Sequence, residues 1–285
     1  MHLEQVFLRK ASLVDSSIER YFSRLEVHSH FGYKKLLESM KYSALGGGKR
    51  FRPLLSLLMA EAFEKPQDVV LPFACAVEMI HTYSLIHDDL PCMDNDDERR
   101  GKPTNHKVYG ESTALLAGDG LLTEAFHLLV SNSKSTPAAT LEVVRLLAEN
   151  AGVLGMVGGQ SIDLSAQAQQ LTRDDFYLLH QMKTGALIQV SAEGAAVLCE
   201  ASPERRALAR EYGRLLGFAF QLKDDLHDHS EIHPELCSYT SVLGFKKTED
   251  LLKDTTLQAI ELAKKLGDKT GHLIQLAEFN LSRGQ

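Results

Sequence analysis

The chain has no tryptophan, and aromatic residues make up only 7% of it. Its eight prolines are scattered through 285 residues, which excludes a proline-rich linker. The four cysteines, Cys75, Cys92, Cys199 and Cys237, stand far apart. Their spacing argues against a zinc clip or a disulfide framework, and leaves the reduced thiols of a cytoplasmic protein as the simplest reading. No uninterrupted apolar run reaches the length of a membrane span. The first ten residues are mixed and charged, unlike a secretory leader. A net charge of -7 argues against general nucleic-acid binding, while leaving room for a local basic pocket. Period-two alternation is almost absent, so little strand is expected.

What is present is helical periodicity. It covers residues 33–45, 53–63, 69–87, 112–131, 137–154, 173–199, 203–226 and 248–266. Two starts are clearly marked. Ser202 precedes Pro203 and Glu204, and Thr172 precedes two acids. "LSAQAQQL", residues 164–171, reads as a loop or helix end. No segment repeats at a fixed period. With 44% apolar and 24% charged residues, the chain reads as one all-α domain over 1–285, a bundle of about ten helices.

Two stretches concentrate acid. "FQLKDDLHD" places Asp224 and Asp228 four apart, on one helix face and one turn from each other. Such carboxylates at the end of an apolar helix repel unless a cation sits between them. Magnesium suits the position, because it takes one or two carboxylates and completes its shell with water and phosphate oxygens. "LIHDDLPCMDNDDERRGKPTNH" holds Asp88, Asp89, Asp94, Asp96, Asp97 and Glu98, followed by Arg99 and Arg100. Six residues of regular helix would turn Asp94 away from Asp88, but Pro91 intervenes and lets the chain bend so that the acids converge. Two acid clusters, each closing an apolar helix, suggest a diphosphate held through metal ions.

The basic residues form a second pattern. "ALGGGKRFRP" combines glycines, which admit an anion to the backbone, with Lys49, Arg50 and Arg52. It lacks the spacing and the Ser/Thr of a Walker loop. His81 lies two turns before Asp88 on nearly the same face. Two cationic sets beside two acidic sets suggest two diphosphates, one bound through metal and one bound directly.

Together these motifs resemble the trans-isoprenyl diphosphate synthases. "GGGKRFRP", "EMIHTYSLIHDDLPCMDNDDERRGKPTNH", "LAGDGLL", "GGQSIDL", "HQMKTGAL" and "FQLKDDLHD" occur in that family's order. The spacing from Asp88 to Asp94 is that of bacterial farnesyl and plant-type geranylgeranyl diphosphate synthases. The resemblance implies an isoprenoid synthase fold, with helices around a central apolar cavity, and a cytoplasmic homodimer. It implies that Lys49, Arg52, His81 and Arg100 bind isopentenyl diphosphate. Asp88, Asp94, Asp224 and Asp228 would hold Mg2+, three ions per site. Arg99, Lys183, Thr184 and Gln221 would serve the allylic diphosphate and the cation it leaves. Tyr83, with the small Ser84 beside it, would floor the product pocket and stop growth at farnesyl diphosphate. Geranylgeranyl diphosphate synthesis and a weakly active or regulatory subunit are the alternatives. A terpene cyclase would need neither the basic loop nor His81.

One segment departs from the resemblance. Where the family carries Gly-Lys, this chain has Glu235 and Leu236 in a shortened loop, which implies weaker closure over the allylic diphosphate unless Lys223 compensates. His227, His229 and His233 also gather there; a zinc site is the lesser reading, since loop histidines are common.

Overall fold

The computed structural model describes residues 3–28, 30–166, 172–228 and 238–282. The chain divides into two compact units, residues 1–54 with 70–134, and residues 55–69 with 135–285.

In the first unit, α1 (Leu3–Leu25) and α2 (Phe31–Ala44) precede α3 (Phe51–Ala62), which begins here and continues into the second unit. Then come α4 (Leu71–Asp88), the hairpin β1 (Glu98–Arg99) and β2 (Lys102–Pro103), α5 (Asn105–Tyr109) and α6 (Glu111–Asn132). Pro72 sits in the first turn of α4, where its missing N–H costs nothing. Phe73, Ala74, Ala76, Val77, Met79 and Ile80 are wholly buried, so α4 is apolar around its circumference and occupies the core of this unit. α6 packs along it through Ala114, Ala117 and Gly118. A β-carbon at Gly118 would lie 2.1 Å from His87 Nε2, so only glycine permits this approach. By length and composition alone, α6 is the one helix among the described residues apolar enough to cross a membrane, although it carries Asp119 and Glu124.

The second unit contains α7 (Pro137–Ala151), α8 (Met156–Ala166), α9 (Arg173–His180), α10 (Ala186–Leu198), α11 (Pro203–Asp228), α12 (Tyr239–Leu243), α13 (Phe245–Leu266) and α14 (Gly271–Ser282). Here α11 packs between α10 and α13, and α7 covers α10. Thr172 caps α9 in a reciprocal capping box with Asp175, as the sequence suggests.

The all-helical expectation holds, with differences. Fourteen α-helices stand among the described residues rather than about ten. α1, α5, α8, α12 and α14 are additional to the segments expected from periodicity. The helix expected to reach residue 154 stops at Ala151, because a turn begins at Gly152. The helix expected over 173–199 is interrupted by a π-helical turn, Gln181–Gly185. Residues 164–166 complete α8 instead of forming a loop, and 167–171 lie outside the described residues.

Candidate active site

α4 carries three of the expected residues on one face. His81, Ser84 and Asp88 follow at intervals of three and four, so they line up along the helix. The helix ends at Asp88, and a tight turn folds back until the Asp94 amide donates to the Asp88 carbonyl at 2.9 Å. The acids expected to converge after Pro91 therefore do so. Asp88 is half-buried and Asp94 is exposed. Asp89 turns the other way: it is 3% exposed and accepts Arg99 Nε at 2.5 Å. Burial raises its carboxyl, and Arg99 works against that rise.

The paired arginines diverge. Arg99 spans Asp89 and Asp96, the latter at 3.0 Å, so the residue expected to serve the allylic diphosphate is already tied to two acids. Arg100 and Gly101 both have positive φ, 55° and 73°, and form the two-residue turn joining β1 to β2. From that turn Arg100 Nη1 donates to the Gly47 carbonyl. A β-carbon on Gly48 (φ 118°) would come within 2.6 Å of the Arg100 guanidinium carbon, so both backbone shape and space demand glycine there. Burial depresses the His81 imidazole, and the positive charges of Arg52, Arg100, Arg50 and Arg99 push it further down. Arg52, His81 and Arg100 thus share one electropositive neighbourhood, with Lys49 exposed on the glycine loop.

Tyr83 is buried and packs edge-on against His87, ring centroids 5.7 Å apart. His87 in turn reaches the Leu115 carbonyl at 3.0 Å, so Tyr83 belongs to the seam between α4 and α6. Burial, then the charge of Asp88, pushes its phenol up to about 12. Ser84 donates to the His81 carbonyl at 2.9 Å.

In the second unit, Lys183 and Thr184 lie within the π turn. Lys183 Nζ donates to Asp163 Oδ2 on α8 at 2.5 Å. Glycines let neighbouring helices press on this turn: Gly159 of α8 abuts the Lys183 backbone, and Gly217 of α11 abuts Gly185. Gln221 donates through Nε2 to Asp225 Oδ1 at 2.8 Å, and Asp225 Oδ2 accepts the Tyr239 amide at 2.6 Å. Asp224 is half-buried, as are Lys223 and His227. Asp228 ends α11; its side chain lies outside what is described, as do His229, His233, Glu235, Leu236 and Cys237.

Among the described residues, no three His, Cys, Asp or Glu side chains are gathered closely enough to hold a metal ion. The donors at Asp88 and Asp94 are hard carboxylate oxygens, two at most from this turn. That set fits an ion such as Mg2+, which completes its shell with water and phosphate rather than with a protein cage.

A sequence model of the polyprenyl synthetase family matches residues 33–236. The chain belongs to this family. The farnesyl diphosphate synthase of Geobacillus stearothermophilus is 46% identical over 230 residues, spanning 80% of this chain and 76% of that one. The large subunit 1 of the chloroplastic heterodimeric geranylgeranyl pyrophosphate synthase of Arabidopsis thaliana is 40% identical over 266 residues, 86% of this chain and 71% of that one. The crystal structure of an FPP/GFPP synthase from Zymomonas mobilis superposes with a TM-score of 0.91 at 36% identity, covering 98% of each chain.

With the family shown, the shared design of the two acid motifs stands out. In each, the second aspartate turns inward and is bound: Asp89 to Arg99, Asp225 to Gln221 and Tyr239. The first, Asp88 or Asp224, stays half-buried. Sequence reasoning assigned nothing to Asp163, Asp225 or the glycines around the π turn. The motif "GGQSIDL" held the signal, because adjacent glycines inside a helix mark a close approach.

Proposed function

We propose that the protein joins isopentenyl diphosphate to an allylic diphosphate, dimethylallyl or geranyl, and releases farnesyl diphosphate. One observation carries this reading: along a single face of α4, His81 among its arginines is followed by Asp88 with Asp94 folded back against it. That face offers a direct anion site and a metal-type carboxylate site within two turns. The likeness to the Geobacillus farnesyl diphosphate synthase supports the substrate class.

Lys49, Arg52, His81 and Arg100 grip the diphosphate of isopentenyl diphosphate. The cofactor is Mg2+, three ions, with Asp88 and Asp94 as ligands in one motif and Asp224 and Asp228 in the other. When bound, it neutralises the allylic diphosphate and makes it a leaving group. Arg99 and the Lys183 ammonium serve that diphosphate. The Lys183 carbonyl, the Thr184 hydroxyl and the Gln221 amide oxygen direct dipoles at the allylic cation. The isopentenyl double bond attacks the cation, a carbon–carbon bond forms, and a proton passes to the departed diphosphate. No protein nucleophile is needed.

Tyr83 and Ser84 set product length; the buried ring between α4 and α6 supports a floor below the carboxylates. Residues 1–285 form one polyprenyl synthase domain, since the family match runs through both units. The protein acts as a cytoplasmic homodimer without a membrane span or a nucleic-acid partner. The free thiols of Cys75, Cys92 and Cys199 support the compartment, and Leu115 and Leu116, exposed on α6, support self-association. The likeness to the Arabidopsis subunit favours a second reading, geranylgeranyl diphosphate as product.

The test is incubation of the purified protein with Mg2+, labelled isopentenyl diphosphate and each allylic primer, with chromatography of the products. A fifteen-carbon product is expected. A twenty-carbon product overturns the chain-length reading, and absence of any condensation overturns the activity.

A further inference from the structure

Arg50 lies inside the basic loop yet cannot be one of its ligand-binding residues. It is 2% exposed, and four of its five N–H donors are committed. Nε donates to Asp15 Oδ1 on α1 at 2.7 Å. Nη1 donates to the Gly47 carbonyl and to Glu78 Oε1 on α4, both at 2.8 Å. Nη2 donates to the Ala44 carbonyl at the end of α2, also at 2.8 Å. Its backbone is in the left-handed region, φ 48°, which is uncommon for a residue with a β-carbon. This conformation turns Arg50 inward while the preceding Lys49 stays at the surface.

The Gly47 carbonyl is the shared point. It receives Arg50 from beneath and Arg100 from the β1–β2 turn. Glu78 precedes His81 by one helical turn on α4, so one buried ion pair links the helix carrying His81 to the loop that receives Arg100. We propose that Arg50, anchored by Glu78 and Asp15, is a positioning residue: it holds the Gly47 carbonyl where that oxygen aligns Arg100 for the diphosphate of isopentenyl diphosphate. The assignment rests on the proposed prenyl transfer only for the identity of that diphosphate.

A role through charge alone predicts a different outcome from a role through geometry. Arg50→Lys keeps the charge and loses the fork that reaches four acceptors. The paired variant Arg50→Met with Glu78→Met removes both buried charges while keeping apolar volume, which buried pairs often tolerate. Steady-state kinetics with both substrates, thermal melting by circular dichroism, and calorimetric titration of isopentenyl diphosphate read the three variables. We expect Arg50→Lys to raise the KM for isopentenyl diphosphate at least tenfold while the allylic KM stays within twofold. The paired variant should melt near the parent protein and show the same split. An unchanged KM for isopentenyl diphosphate in either variant, or an equal rise for both substrates, overturns the proposal. If the parent protein does not turn over, the activity reading fails on its own. The titration then decides: tenfold weaker binding in Arg50→Lys supports the positioning role, and equal binding overturns it.

Discussion

Gly159 of α8 and Lys183 of the π turn touch backbone to backbone, so closely that a β-carbon on the glycine would lie 2.3 Å from the Lys183 nitrogen. The turn expected to direct carbonyl and hydroxyl dipoles at a cation is therefore set by a helix that contributes no side chain at that point.

Gly159→Ala must push the π turn away from α8. It should destabilise the protein by about 1–3 kcal/mol, the usual cost of overpacking. It should also lower kcat with the allylic substrate at least tenfold while leaving the KM for isopentenyl diphosphate nearly unchanged. Melting curves and steady-state kinetics on the same preparation check both; normal turnover would show that the turn tolerates displacement.

The two aspartates of each acid motif should separate experimentally. Asp89→Ala leaves the Arg99 guanidinium without its buried acceptor and should lower stability by about 1–3 kcal/mol. Asp88→Ala and Asp224→Ala should melt close to the parent protein yet lose turnover by orders of magnitude. Full activity in excess chelator would contradict the metal dependence behind that contrast.

Acid should weaken the fold through His81. Its imidazole is depressed in the folded state, so the unfolded chain binds that proton more tightly. The penalty is absent above the unfolded value of about 6.5 and grows as pH falls below it. His180, pulled down to about 4 mainly by burial, acts in the same sense. His81→Gln should flatten the pH dependence of the melting temperature between about pH 4 and 7. An identical slope in the variant would place the effect elsewhere.

Tyr83→Ala should lengthen the main product to twenty carbons or more while condensation continues. The loss of the ring against His87 should cost about 3 kcal/mol, as large-to-small changes in a core do. Product chromatography with a parallel melt reads both. A shorter stability margin with an unchanged product would assign Tyr83 to the helix seam alone.

Much of this was legible in the sequence because charge and periodicity are local properties. Asp88, Asp224, Lys49 and Arg52 announce themselves by type and spacing, and the end of α4 at Asp88 follows from Pro91. What escaped depends on direction. Asp88 and Asp89 are chemically identical neighbours, and only about 100° of helix rotation sends one inward to Arg99. Arg50 looks like Lys49 and Arg52 in a string of letters; its left-handed backbone makes it internal. The π turn leaves composition and pattern almost untouched. Its trace lies in glycines of separate helices, Gly159, Gly213 and Gly217, whose shared target appears only after folding.

The π turn also fixes the phase of everything after it. Its wider ring accommodates one residue more than an α-turn spanning the same rise. Deleting a single residue between Gln181 and Gly185 would restore an unbroken α-helix, and with it swing the whole of α10 by about 100° about its axis. Leu187, Ile188 and Val190, wholly buried now, would point elsewhere. This segment can therefore accept substitution far more readily than any change in its length.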